Sequence, residues 1–151
     1  MATVNGAIRI NKPVDEVFSY VSNPRNLPSW DRTVNDVRFS GPVSAGRGGT
    51  IIRQFNGKGH REEFEIHALE SNRVLEIDGY SDHLWFQTVV RFQPTDGGTE
   101  VAYSQTVHGD GLTRLFKPLA PRSANARVSE SFGHLKQALE GRRAEEAPLA
   151  A

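Results

Sequence analysis

The stretch IRINKPVDEVFSYVSNPRNLPSW (residues 8–30) changes its apolar period partway along, and that change decides the fold. Val4, Gly6, Ile8 and Ile10 share one parity, the alternation of a half-buried strand. From Val14 onward the apolar residues recur as Val14, Val17, Phe18 and Val21, which is helical spacing. Pro13 suits the first helical position, and Asp15 with Glu16 complement the positive end of a helix dipole. Asn23-Pro24 ends this helix and can cap a second, short one running towards Trp30. A strand followed at once by two short helices is an unusual opening for a domain.

Outward from that opening, Val34 to His108 reads as strands separated by turn chemistry. The breaks fall at Ser40-Gly41-Pro42, Gly46 to Gly49, Asn56-Gly57-Lys58-Gly59, Ser71-Asn72, Tyr80-Ser81-Asp82 and Asp96-Gly97-Gly98. They leave six segments joined by loops too short for crossover helices, so neighbouring strands are expected to be antiparallel. A final helix is predicted from a Ser123 cap, with Ala124, Val128, Phe132, Leu135 and Leu139 facing inward. Gly141 stops it, and Arg142-Arg143 complement its dipole. Residues 1–141 are therefore read as one α+β domain, and 142–151 as a disordered tail.

The composition narrows the function classes. A chain of 151 residues fits one domain. Its 18 basic and 18 acidic residues give zero formal charge, which argues against duplex nucleic acid and a constitutive membrane surface as partners. No apolar run approaches the roughly 20 residues of a membrane span, and Met1 to Asn11 lacks a signal-peptide pattern. Cysteine is absent, which removes disulfides, thiolate nucleophiles and Cys-ligated zinc. A cytoplasmic protein of bacterial type, monomeric or homodimeric, is the expectation.

Strand parity gives the sheet an inside. A hairpin closed at Asn56 to Gly59 sets Ile51 opposite Phe64, Arg53 opposite Glu62 and Phe55 opposite His60. Gln54, Arg61, Glu63, Glu65 and His67 then form a solvent face. The next hairpin pairs Leu69 with Val74, Ala68 with Leu75 and Ile66 with Ile77. The last pairs Phe92 with Val101, Val90 with Tyr103, Thr88 with Gln105 and Phe86 with Val107. The inner face thus carries Arg53, His60, Glu62, Thr88, Tyr103 and Gln105 among apolar residues. Apolar walls with a few convergent polar groups are the usual makeup of a ligand pocket. Small residues at the start of the last helix, Ala124 and Val128, leave room for one.

The order strand, two helices, six strands and long final helix resembles the helix-grip fold of the START and Bet v 1-like (SRPBCC) superfamily. More narrowly, it is similar to the polyketide cyclase/dehydrase-like branch. The resemblance rests on Ile10-Asn11-Lys12-Pro13-Val14-Asp15-Glu16-Val17-Phe18, Asn23-Pro24, Trp30, Glu65 to Arg73, Phe92-Gln93-Pro94, Gly98-Thr99-Glu100-Val101 and Phe132 to Glu140. It covers about Thr3 to Glu140 and implies a curved antiparallel sheet wrapped around the last helix. Members of that superfamily include lipid and hormone binders, aromatase/cyclases and resistance proteins, so the resemblance does not select an activity.

The candidate site residues are therefore read individually. Arg53 is either an anchor for a carboxylate, phenolate or enolate, steadied by Glu62, or half of a cross-strand salt bridge near the barrel mouth. His60 is either a general acid or base, with Glu62 as its companion, or a turn-flanking histidine. Thr88, Tyr103 and Gln105 are either ligand contacts or satisfied core polarity. Trp30 either roofs the pocket or anchors packing. Asp31 reads only as a helix end. His67, His83, His108 and His134 fall on the outer face, at strand ends or away from the helix seam. Phe64, Phe86, Val90 and Val128 complete the expected apolar wall. No spacing of histidines or carboxylates matches a metal motif, so neither metal nor other cofactor is expected. Gly46-Arg47-Gly48-Gly49 fails as a phosphate loop because strand-like residues follow it, and is read as a flexible turn at the cavity rim.

The leading reading is a binder of a hydrophobic or aromatic small molecule, a lipid or polyketide-like metabolite. A cyclase, aromatase or dehydratase working by proton transfer in the same cavity is the rival, and whether the protein is an enzyme stays open. A protein-interaction or resistance domain without turnover is the third.

Overall fold

Strand β1 (Ala2–Ile10) runs into helix α1 (Val14–Ser22), a 3-10 turn (Pro24–Asn26) and the short helix α2 (Leu27–Trp30) in the computed structural model, which describes residues 2–55, 57–81, 84–109 and 128–141. The switch of apolar period is thus a switch of secondary structure. Pro13 stands at the N-cap, one residue before the predicted position, and Asn23 accepts a hydrogen bond from the Arg25 N–H to cap the 3-10 turn. Val17, Phe18 and Val21 bury one face of α1, and Phe18 meets Phe92 edge to face at 5.2 Å.

Six further strands follow: β2 (Val34–Arg38), β3 (Gly48–Phe55), β4 (Lys58–Glu70), β5 (Val74–Ser81), β6 (Leu84–Thr95) and β7 (Gly98–Gly109). All seven form one antiparallel sheet in the order β1-β7-β6-β5-β4-β3-β2. Residues 128–141 are helical and are labelled α3. Phe132, Leu135 and Leu139 of α3 share one buried cluster with Ile10, Val17, Phe18, Trp30, Ile66, Leu75, Val90, Phe92, Val101 and Tyr103. The helix therefore lies in the grip of the sheet. Ser123, Ala124, His83 and the tail 142–151 are outside the described residues.

Parity assigns the faces correctly except on β4 beyond Ile66, where Leu69 takes the inner place expected of Ala68, and two registers differ from expectation. Between β3 and β4, Ile51 pairs with Glu62, Arg53 with His60 and Phe55 with Lys58, not Ile51 with Phe64, Arg53 with Glu62 and Phe55 with His60. Only two residues separate Phe55 from Lys58, and Gly57 at φ 76° supplies the left-handed conformation that such a turn requires. A slip of two residues leaves every side chain on its face. Between β4 and β5, Ile66 meets Ile77 as expected. A register shift between Ile66 and Ala68 then sets Leu69 against Leu75 and Ala68 against Glu76, not Val74 and Leu75. The three-residue turn Ser71 to Arg73, with Asn72 at φ 62°, fixes that far end, and a bulge at His67 absorbs the mismatch. Such a bulge sharpens twist and curvature. The β6–β7 register is the predicted one.

The Gly46–Gly49 stretch is tied to the sheet, not a free turn at a rim. Gly46 N–H donates to the Ile66 carbonyl and Ile66 N–H to that of Arg47, both at 2.8 Å. The motif around Lys12 is likewise structural. Ile10 pairs with Thr99, whose buried hydroxyl donates to the Lys12 carbonyl at 2.8 Å, joining the β1–α1 corner to β7.

Candidate functional site

Along the concave face, residues of alternate parity form two environments. At the end under α3 the face is dry: Ile66, Val90, Phe92, Val101 and Tyr103 are buried. Phe132 stacks flat on Tyr103, with ring centroids 3.9 Å apart and planes 5° apart, and Trp30 leans on Phe132 at 5.4 Å. Gly6, beside Tyr103 on β1, is what lets that ring lie down, because a Cβ there would sit 2.5 Å from the Tyr103 hydroxyl oxygen. The hydroxyl itself reaches Ser129 Oγ at 3.3 Å. Val128 packs against the same cluster, partly buried.

Nearer the mid-sheet, the same face keeps partial contact with solvent. Ile77, Phe86, Thr88 and Gln105 are each half-buried, and Gln105 Nε2 donates to Thr88 Oγ1 at 3.2 Å across the β6–β7 pair. Phe64 is buried with Val34 and Ile51 in a second small cluster, and stacks on Phe39 at 6.0 Å.

Arg53 gathers the charged groups. Its Nε donates to Glu62 Oε2 at 3.4 Å, and its Nη1 donates to Asp31 Oδ2 at 2.9 Å and to Thr33 Oγ1 at 2.6 Å. Asp31 Oδ1 in turn accepts from the Thr33 N–H at 3.1 Å and from the Thr33 hydroxyl at 2.7 Å. This is an Asx-turn that follows directly on the end of α2. The side chains of Arg53, Asp31 and Glu62 are 26%, 13% and 16% exposed, so the network is shielded yet reachable. Burial opposes the charge of Arg53, but Glu62 and Asp31 outweigh it and raise the guanidinium above its ordinary pKa. His60, also half-buried, is the register partner of Arg53.

The candidate residues thus separate into three groups. Arg53, His60 and Glu62 come together at one end, Thr88 and Gln105 in the middle, and Trp30, Val90, Tyr103 and Val128 beside α3. Sequence reasoning misses Asp31 and Thr33, although Asp-x-Thr after a helix end is an Asx-turn signal. It also sets His134 aside, whereas that side chain is only 17% exposed, with Glu130 at 3.7 Å from Nε2. Trp85 and His108 pack against each other on the outer face at 4.5 Å. A depression of about 290 Å³ lies against Arg73, Arg91, Gln93 and Glu100 together with Val74, Phe92 and Ala102. Among the described residues, no three His, Asp or Glu side chains gather as metal ligands would, and no helix is long and apolar enough to cross a membrane.

The sequence matches, over residues 1–140, the family model described as polyketide cyclase/dehydrase and lipid transport. No curated protein matches it in sequence. Among solved structures, TTHA0849 from Thermus thermophilus superimposes with a TM-score of 0.75 at 16% identity, covering 93% of this chain and 99% of that one. Ara h 8.0201 gives 0.68 at 18% identity, covering 93% and 96%. DynU16, from the dynemicin biosynthetic locus, gives 0.68 at 18% identity, covering 91% of this chain and 47% of its own. At such identities the shared property is the helix-grip fold.

Proposed function

The chain belongs to the polyketide cyclase/dehydrase and lipid transport family, and we propose that it binds a hydrophobic or aromatic small molecule, such as a lipid or polyketide-like metabolite, between the concave sheet face and α3. One observation carries this reading. Ile77, Phe86, Thr88 and Gln105 all point to the concave side of a sheet that closes on a helix, yet all four keep contact with solvent. A face made only for packing would be dry along its length, as it is under Phe132 and Leu135. Apolar side chains beside a Thr–Gln pair and a shielded arginine make a mixed lining that grips a carbon skeleton and orients its oxygens.

In this reading Phe64, Phe86, Val90 and Val128 supply apolar wall. Thr88, Gln105, Tyr103 and Arg53 offer polar contacts, and Trp30 backs the aromatic end. Native mass spectrometry of freshly purified protein, with uptake of an apolar fluorescent dye, tests the proposal. Wild type should carry a ligand or take up dye, and Val128→Trp should lose it by filling the space beside α3. Protein that neither carries a ligand nor takes up dye would overturn the reading.

A second reading rests on His60, half-buried opposite Arg53 and two residues from Glu62 on the same strand face. There the cavity is a cyclase or dehydratase site in which His60 and Glu62 move protons and Arg53 orients carbonyl oxygens. Turnover of a poly-carbonyl substrate, with a pH profile altered in His60→Gln, would favour it over simple binding.

A further inference from the structure

Resting on the binding reading, we infer that the charged end of this site selects neutral, carbonyl- or hydroxyl-bearing ligands and turns away carboxylates. The inference departs from Arg53 as an anchor for an anion, and two features of its surroundings carry it.

The first is the occupancy of the guanidinium. An arginine binds a carboxylate best through two parallel N–H donors on one edge. The Nε–H of Arg53 is engaged by Glu62, and the two hydrogens of Nη1 serve Asp31 and Thr33. Each of the two edges that include Nη2 therefore has its other nitrogen already engaged. Nη2 has no hydrogen-bond acceptor among the described residues, so it remains as a single-nitrogen donor. Such a donor fits one carbonyl or hydroxyl oxygen and cannot make a fork.

The second is charge. One guanidinium against two carboxylates leaves the cluster at a formal charge of −1. With these side chains only 13–26% exposed, water screens that charge weakly. An incoming carboxylate meets a guanidinium whose positive charge is already balanced, and a second carboxylate in excess. A neutral ketone meets the same free N–H without that repulsion. His60 is the register partner of Arg53, so every comparison is made at a single pH.

The test compares 2-acetylnaphthalene with 2-naphthoate, which differ by a methyl group in place of one carboxylate oxygen. Binding of both is measured calorimetrically on the full chain at about pH 8. Wild type should prefer the ketone by about tenfold or more. Glu62→Gln and, separately, Asp31→Asn should each narrow that ratio by about threefold or more, through tighter naphthoate binding. Glu130→Gln, an exposed carboxylate on α3, should leave it unmoved. Both probes binding with a ratio that neither Glu62→Gln nor Asp31→Asn moves would overturn this inference and spare the binding proposal. Neither probe binding at about 1 mM would overturn both.

Discussion

At one end of the concave face Phe132 lies flat on Tyr103, while Leu135 and Leu139 are shut off from water. At the other, three side chains hold Arg53, and a quarter of it still reaches solvent. Both ends hang on strands of one sheet, yet they obey different rules. The apolar end is fixed by volume, so its tolerance is set by how well a replacement fills space. The charged end is fixed by charge count and hydrogen-bond direction, so a replacement of the same volume can still fail there. One end makes the domain fold; the other is the end that the binding proposal assigns to ligand recognition.

The largest effect should come from the apolar end. Phe132→Ala removes the ring that covers Tyr103 and supports Trp30, and should destabilise the domain by about 3–5 kcal/mol, read as a shift in denaturant midpoint. Arg53→Met keeps much of the volume but leaves Asp31 and Glu62 without their cation. We expect a loss of about 2 kcal/mol, below the figure for a fully buried pair because water reaches this one. Adding Glu62→Gln to Arg53→Met should restore part of it. Equal losses in Phe132→Ala and Arg53→Met, or no restoration, would erase the contrast between the two ends.

Gly6→Ala probes the aromatic end more finely. The new Cβ would lie 2.5 Å from the Tyr103 hydroxyl, and Tyr103 is pinned by Phe132, so the ring has little freedom to yield. A loss of about 1–2 kcal/mol is expected, with a changed near-ultraviolet signal from the aromatic stack. Smallest should be the effect at Glu140, which accepts from the Asn11 N–H at 3.0 Å and from Lys136 at 2.9 Å. Partial burial raises its pKa, but those two donors outweigh it and hold the carboxyl below its ordinary value. A depressed folded-state pKa stabilises above the unfolded value, and that contribution fades as pH falls through the folded one. The advantage of wild type over Glu140→Gln, below about 1 kcal/mol, should therefore shrink between about pH 5 and pH 3.

Legibility in the sequence follows the range of the signals. Faces are readable because strand parity repeats every two residues, which is why Gln54, Arg61, Glu63, Glu65 and His67 are all exposed as expected. That same period hides a slip of two, so Arg53 falls on the right face opposite the wrong partner. Turn chemistry holds the missing information in Asn56-Gly57, a two-residue hairpin signal embedded in what reads as a longer loop. The bulge at His67 moves Leu69 rather than Ala68 opposite Leu75, which strict alternation along β4 does not foresee. Asp31 lies 22 residues from Arg53 and meets it only because α2 ends over β3. Nothing periodic links a helix end to a strand interior, so the third member of the charged cluster is beyond reach of pattern reading.

The seating of β1 beside β7 has a consequence for how the chain is made. Each of the strands β2 to β6 pairs with its immediate successor, and can do so as soon as that successor leaves the ribosome. β1 is synthesised before the other six strands and paired last, since Ala2 meets Val107 across roughly a hundred residues. Until β7 is complete, β1 must wait without its partner. The strand made before the other six thus serves as the final fastening, and until it docks the nascent chain carries an open sheet edge.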